Sequence, residues 1–235
     1  MSDVLVQGCK RVLLPVSLLL SVMVLLGVLV TRVFEHAWPF TAEDAVNREL
    51  AADRTEGWNN VSLVFSTLAS TQVVVLVTAI VAVVLRLVLH RWRESIFLCA
   101  AVSAQALVFL LTTMAIDRRR PEVVHMDDSP PTSSFPSGHT SAAVALYVGI
   151  ALLLALRARS TPAKAAWWTL LLVVPVGVAL TRMYRGMHHP SDVVASFLNG
   201  GTCVLIMARA VLDRGVRWGR EKLPGVARVA RVPAA

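Results

Sequence analysis

Two histidines and an aspartate lie close together in the segment His188-His189-Pro190-Ser191-Asp192. If a helix begins near Pro190, the carboxylate of Asp192 can face back to the imidazole of His188 or His189, which precede it by four and three residues. A carboxylate that binds one ring nitrogen leaves the other nitrogen free to attack an electrophile. The spacing therefore predicts a nucleophilic histidine, and it does not choose between His188 and His189.

A further histidine stands at the start of an apolar run. Ser137 and Gly138 precede this run, and Ser137 is near the N-cap position expected of a helix start. The free N–H groups and the dipole of a helix N-terminus suit an anion, and a glycine lets the anion approach the backbone closely. His139 lies one position into the helix, where an ionisable side chain at a membrane boundary is a functional candidate.

Five arginines accompany these histidines along the chain: Arg118, Arg119, Arg120, Arg182 and Arg185. One interpretation is that they are interface anchors whose side chains extend to lipid headgroups. The alternative is an anion-binding cluster, because guanidinium groups bind phosphate in a bidentate manner. The arginines form two separate groups, each near His and Asp, and this arrangement favours the anion-binding interpretation.

Other residues with chemical potential give weaker signals. Cys9, Cys99 and Cys203 are isolated, so they predict neither a disulfide framework nor a metal site. Asp127 and Asp128 could bind a cation, but a lone pair of aspartates in a proline-rich loop is expected to be solvated.

Apolar helices must position these residues. Of the 235 residues, 56% are hydrophobic and 16% are charged, and the mean hydropathy is +0.64, whereas soluble domains have about 45–50% apolar and about 25% charged residues. A membrane crossing needs roughly 20 apolar residues, and six runs approach or exceed that length: 12–34, 61–89, 96–116, 138–156, 165–184 and 191–212. We therefore predict an all-α integral membrane bundle of six transmembrane helices over residues 1–212. A short amphipathic helix with Thr41 as its N-cap is predicted over 43–54.

Basic residues indicate the orientation of this bundle. The net charge is +8, and most lysines and arginines lie between apolar runs rather than on one face of a soluble fold, so no nucleic-acid partner is expected. They precede the first run, separate the second from the third and the fourth from the fifth, and follow the sixth. Because such segments face the cytoplasm, both termini are predicted to be cytoplasmic, with a basic tail over 213–235. The histidine and arginine segments then lie on the extracytoplasmic side.

The sequence resembles the type 2 phosphatidic acid phosphatase, or lipid phosphate phosphatase, superfamily, whose motifs are KxxxxxxRP, PSGH and SRxxxxxHxxxD. The second motif is complete from Pro136 to His139. The third matches at Arg182, His188 and Asp192, with Thr181 in place of Ser. In the first motif, Arg120 and Pro121 match, but Thr113 occupies the lysine position.

The resemblance implies a role for each matched residue. His188 would be the nucleophile, Asp192 would orient it, and His139 would protonate the leaving oxygen and then activate water. The groups that would bind the phosphoryl oxygens are Arg120, Ser137, Gly138 and Arg182. Arg118 would partly replace the lysine charge that is missing at Thr113. The resemblance implies neither a metal nor another cofactor, since arginines neutralise the phosphoryl charge.

Together these features predict a plasma-membrane hydrolase that acts on a lipid phosphate or pyrophosphate in the bilayer through a phosphohistidine. Its candidate substrates are a polyprenyl pyrophosphate, phosphatidate and phosphatidylglycerol phosphate, and an outward-facing site slightly favours the polyprenyl carrier. A lipid phosphotransferase with the same nucleophile and a non-catalytic lipid or anion transporter are the alternatives. No oligomeric state is predicted.

Overall fold

The structure is a computed structural model that describes residues 6–128 and 132–213. Its helices are α1 (Val6–Val33), α2 (Glu43–Ala52), α3 (Glu56–Leu68), α4 (Thr71–Leu89), α5 (Arg93–Ala115), α6 (Gly138–Ala155), α7 (Thr161–Tyr184) and α8 (Pro190–Leu212). All except α2 and α3 are long and apolar enough to cross a membrane. The prediction of an all-α bundle with six membrane-spanning helices is therefore confirmed.

Helices α5, α6 and α8 form the centre of the bundle. Helix α1 packs on α5 and α8, α4 packs on α5, and α7 packs on α6 and α3. The fully buried side chains include Phe97, Leu98 and Leu146. By contrast, few residues of α1, α4 and α7 are buried, and their apolar side chains form the surface that a bilayer would cover.

The second apolar run is not one helix, which corrects the prediction of a single span over 61–89. Helix α3 ends at Leu68, and Ser70 adopts an extended conformation in which its hydroxyl accepts a hydrogen bond from Val73 N at 3.4 Å. A serine N-cap thus starts a new helix inside an apolar stretch. Only α4 has the length of a span, and α3 instead packs beside α7.

The short amphipathic helix is present, but its predicted cap is wrong. Helix α2 begins at Glu43 after a turn of 3₁₀ helix over Phe40–Ala42, and no side chain caps it. The basic tail predicted over 213–235 lies outside the described residues, except for Asp213.

The chain order places the predicted site residues at one end of the bundle, which we call the site end. Helices α5 and α7 finish there, and α6 and α8 begin there. Serine caps help to set these boundaries, since Ser137 accepts from Thr140 N at the start of α6. Because six spans separate them, the first and last described residues are both at the opposite end, where Cys9–Leu13 contacts Ala208–Leu212.

The distribution of basic residues predicts that the site end faces away from the cytoplasm. In a cysteine-free background, Val124→Cys should react with a membrane-impermeant maleimide on intact cells, since Val124 is 79% exposed in the site-end loop. Arg159→Cys, at an exposed position between α6 and α7, should react only after permeabilisation. The reverse pattern of labelling would show that the orientation is inverted.

Candidate active site

A cavity of about 600 Å³ lies at the site end, between helices α3 to α7 and the loops that follow α5 and α7. Five of the predicted site residues line it: Arg120, Gly138, His139, Arg182 and His188. Residues that are 68 positions apart in the sequence therefore meet around one space. This is the arrangement that a common anionic ligand would require.

The ring of His188 is oriented by a backbone carbonyl. Its Nδ1 lies 2.7 Å from Ser134 O, and because a carbonyl can only accept, Nδ1 must carry the proton and Nε2 must carry the lone pair. Burial and the positive charge of Arg182 hold the pKa of His188 well below its usual value, although the Asp192 charge opposes them. The imidazole is therefore neutral at neutral pH, as a nucleophile must be.

Asp192 does not form the predicted hydrogen bond to His188. The two groups are 3.9 Å apart, measured from Oδ2 to Nδ1, which is too long for a hydrogen bond. Asp192 instead accepts from His189 N at 2.8 Å and Ser134 Oγ at 3.0 Å, and it pairs with Arg118. Since Ser134 also holds the ring of His188, Asp192 supports that ring indirectly.

The structure distinguishes the two adjacent histidines, which the spacing did not. His188 lines the cavity, whereas the buried ring of His189 lies 3.3 Å from Asp44 and 3.4 Å from Asp192. His189 is also the N-cap residue of α8. Only His188 of this pair has access to a ligand in the cavity.

Ser137 caps the start of α6, and Gly138 allows α5 to pack closely on it. Ser137 is fully buried, does not line the cavity, and its hydroxyl bonds to Thr140 Oγ1 at 3.0 Å. Gly138 does line the cavity, and a Cβ on it would lie 2.8 Å from the ring of Phe109. The glycine is therefore needed for the close packing of α5 on α6 as well as for backbone access.

Arg118 lies behind the cavity, contrary to the prediction that it helps to bind phosphate. It does not line the cavity, and its guanidinium pairs with Asp192, Glu43 Oε2 at 2.6 Å and Ser191 Oγ at 2.7 Å. Thr113, at the usual lysine position, is buried and donates to Ser133 O at 3.4 Å. The missing lysine charge is thus not replaced by Arg118.

Asp127 pairs with two buried arginines, which corrects the prediction that it is solvated. It accepts from Arg182 Nη1 at 2.6 Å and from Arg185 Nη2 at 2.5 Å. Hydroxyls on α3 hold the same arginines, because Ser66 accepts from Arg182 and Ser62 accepts from Arg185, each at 2.9 Å. Asp127 itself lines the cavity.

Helix α2 braces the site from outside the bundle. The amide of Asn47 donates to Met183 O at 3.2 Å and to His188 O at 3.1 Å. Glu43 accepts from Ser191 N at 2.7 Å and from the guanidinium of Arg118. The carboxylate of Glu43 therefore fixes Arg118, which in turn holds Asp192.

Sequence reasoning missed four contributors to the site: Glu43, Asn47, Asp127 and Ser134. None belongs to the family motifs. The arginines at the site end were themselves the available signal, since buried guanidinium groups require carboxylate partners. Another signal was Gly186, whose φ of +75° forms the turn before His188.

The fold and the site define an integral membrane protein with a cavity lined by histidines and arginines. A family model for the PAP2 superfamily matches residues 93–215, just over half of the chain. The chain therefore belongs to the PAP2 superfamily, whose members are phosphatases that act on lipid phosphates. A comparison with curated protein sequences found no match.

Two solved structures have a similar fold. One is the transmembrane PAP2-type phosphatidylglycerolphosphate phosphatase from Bacillus subtilis, with a TM-score of 0.72 and 21% identity over 83% of this chain and 94% of that chain. The other is Aquifex aeolicus LpxE, with a TM-score of 0.56 and 20% identity over 74% of this chain and 98% of that chain. At these identities the similarity shows the fold alone.

The brace by Glu43 generates a prediction about catalysis. Glu43→Gln should lower kcat for phosphate release by about tenfold, because a charge-assisted hydrogen bond contributes about 1.5–3 kcal/mol and each 1.4 kcal/mol is tenfold. KM should change by less than about threefold, since Glu43 does not line the cavity. Glu49→Gln, at an exposed position on the same helix, is the matched control. Equal kinetics for the two variants would show that Glu43 has no positioning role.

Proposed function

We propose that the protein hydrolyses a lipid phosphate in two steps, with His188 as the nucleophile. In the first step, Nε2 of His188 attacks phosphorus and the bond from phosphorus to the lipid oxygen breaks. His139 gives its proton to the departing oxygen. The phosphoryl group is then carried on His188 while the lipid alcohol leaves, or the shortened lipid phosphate when the substrate is a pyrophosphate.

In the second step, water attacks the phosphohistidine. His139, now neutral, takes a proton from that water, and the bond from phosphorus to Nε2 breaks. Inorganic phosphate leaves, and both histidines return to their starting protonation states. One residue thus serves as acid and then as base, as microscopic reversibility allows.

The arginines supply the electrostatic part of the mechanism. Arg120 and Arg182 line the cavity beside His188, and Arg120 is held by a bond from Nη1 to Met187 O at 2.8 Å. Phosphoryl transfer depends chiefly on positioning and on neutralising the equatorial oxygens. Two fixed guanidinium groups, with the N–H of Gly138, can provide both. Ser137 contributes by capping α6 and so fixing that N–H.

The observation that carries the proposal is that one cavity joins these polar groups to an apolar wall. Its other lining residues include Leu63, Val75, Phe109 and Leu110. Three of them, Leu63, Val75 and Leu110, are more than half exposed on the outside of the bundle. A lipid could therefore enter sideways from the bilayer and place its phosphate at His188 with its chain along α4 and α5.

The substrate candidates are phosphatidylglycerol phosphate, phosphatidate and a polyprenyl pyrophosphate. The first agrees with the activity in the name of the Bacillus subtilis structure. We place the site on the extracytoplasmic face of the plasma membrane, so the outer leaflet would supply the lipid. A phosphotransferase would share the first step and pass the phosphoryl group to an acceptor other than water. A transporter would use the arginines for binding only.

His188→Ala should abolish release of inorganic phosphate from each of the three candidate lipids in detergent, because the attacking nitrogen is lost. Wild-type protein quenched during turnover of labelled substrate should carry an acid-labile, alkali-stable phosphoryl group that the variant lacks. His36→Ala, an exposed histidine outside the cavity, is the control and should behave like wild type.

The same assay separates the alternatives. Phosphate that appears on an added alcohol, with little in solution, would identify a transferase. If His188→Ala still released phosphate, the proposed mechanism would be contradicted. Uptake of lipid phosphate into vesicles by that variant at the wild-type rate would identify a transporter.

Removal of divalent cations should leave the activity unchanged, because arginines occupy the place that Mg²⁺ has in other phosphoryl-transfer sites. Phosphate release should therefore be equal, within about twofold, with and without excess EDTA, since a lost metal would cost several kcal/mol of charge stabilisation. A complete loss that added Mg²⁺ restores would contradict this expectation.

A further inference from the structure

A carboxylate lies beside the arginines that line the cavity. Asp127 Oδ2 accepts a hydrogen bond from Arg182 Nη1 at 2.6 Å, and Asp127, Arg182 and His188 all line the same cavity. A negative charge is therefore part of a site that we propose binds phosphate. Its effect depends on whether it remains when a ligand binds.

The contacts of Arg185 keep Asp127 in place. Arg185 Nε lies 3.0 Å from both carboxylate oxygens and Nη2 lies 2.5 Å from Oδ1. Arg185 is only 5% exposed, so departure of Asp127 would leave a buried guanidinium without its counter-ion, which is costly. Burial raises the pKa of Asp127, but the Arg185 hydrogen bond and the two arginine charges outweigh burial and lower it. The carboxylate is thus ionised and fixed.

Arg182 retains capacity to bind a phosphoryl group while Asp127 stays. Its Nη1 serves both Ser66 Oγ and Asp127. Its Nε is buried and has no hydrogen-bond partner within residues 6–128 and 132–213. A phosphoryl oxygen could therefore use the other edge of this guanidinium without displacing the carboxylate.

The cavity also has few positive charges of its own. Thr113 stands where the family has lysine, and Arg118 is committed to Glu43 and Asp192. The charges that line the cavity within the described residues are Arg120 and Arg182 against Asp127 and Asp128, of which only Asp127 is paired with a cavity arginine.

On the basis of the proposed phosphatase function, we propose that Asp127 is a specificity-determining residue that favours lipids with one phosphate over lipids with a diphosphate. The dianion of a phosphomonoester matches the two cavity arginines. A diphosphate adds a second phosphoryl group and further negative charge, and it must place that charge near a fixed carboxylate. The second phosphoryl group and the Asp127 carboxylate are both negative, and such charges repel more strongly in a partly buried site than in water.

The test measures binding, so it does not require turnover. In the full-length His188→Ala protein in detergent, calorimetry should show that inorganic phosphate binds at least as tightly as pyrophosphate. Adding Asp127→Asn should lower the Kd of pyrophosphate about tenfold, which corresponds to about 1.4 kcal/mol. It should lower the Kd of phosphate by no more than about threefold. Asn retains the shape of the side chain and removes its charge.

Two further variants serve as controls. Asp127→Glu keeps the charge and should keep the binding ratio of the background protein. Glu122→Gln removes an exposed carboxylate of the same loop that does not line the cavity, and it should leave that ratio unchanged. If Asp127→Asn lowered the Kd of both ligands equally, the proposal would be overturned, and the same effect from Glu122→Gln would also overturn it.

The background protein alone provides a test that needs no change at Asp127. A clear preference for pyrophosphate over phosphate in that protein would also overturn the proposal. Failure of wild-type protein to release phosphate from any lipid would instead count against the proposed function, and the binding ratio would still decide the role of Asp127.

Discussion

The site depends on keeping guanidinium groups charged and fixed at the end of an apolar bundle. Arg182 and Arg185 are 3% and 5% exposed, and a buried ion costs several kcal/mol unless a counter-ion and further hydrogen bonds satisfy it. The fold meets this need with segments outside the spans. The loop after α5 brings Asp127 to both arginines, and α2 brings Glu43 to Arg118. Polar connections that look peripheral in the sequence therefore hold the centre of the site.

These pairings also explain the state of the proposed nucleophile. Asp192 is fully buried and is occupied by Arg118, Ser134 and the His189 amide, so it is not the direct acceptor for His188. The Ser134 carbonyl takes that role and selects the tautomer. A neutral acceptor stabilises an imidazolium less than a carboxylate would. Burial and the nearby Arg182 charge then keep the ring unprotonated, which suits attack on phosphorus.

Much of this architecture could be predicted because it follows from hydropathy and local motifs. Six apolar runs predicted the six-span fold, and the positions of Arg120, His139, Arg182 and His188 predicted the residues that share the cavity. The break at Ser70 was missed because apolar residues flank a single N-cap. The roles of Asp127 and Arg118 were missed for a different reason. Ion pairs across 55 to 75 residues depend on tertiary distance, which neither spacing nor composition reports.

Under the proposed function, the apolar part of the cavity binds the lipid chain and the polar part binds the phosphate. Side chains such as Leu63, Val75 and Leu110 make apolar contacts, which are not directional. The apolar wall can therefore accept acyl or prenyl chains with little discrimination. Discrimination must then come from the phosphate end, where charges are few and fixed. Thr113 removes a positive charge that the family pattern supplies, and Asp127 adds a negative one held by Arg185. Both features act in the same direction, because each reduces the anionic charge that the site can balance.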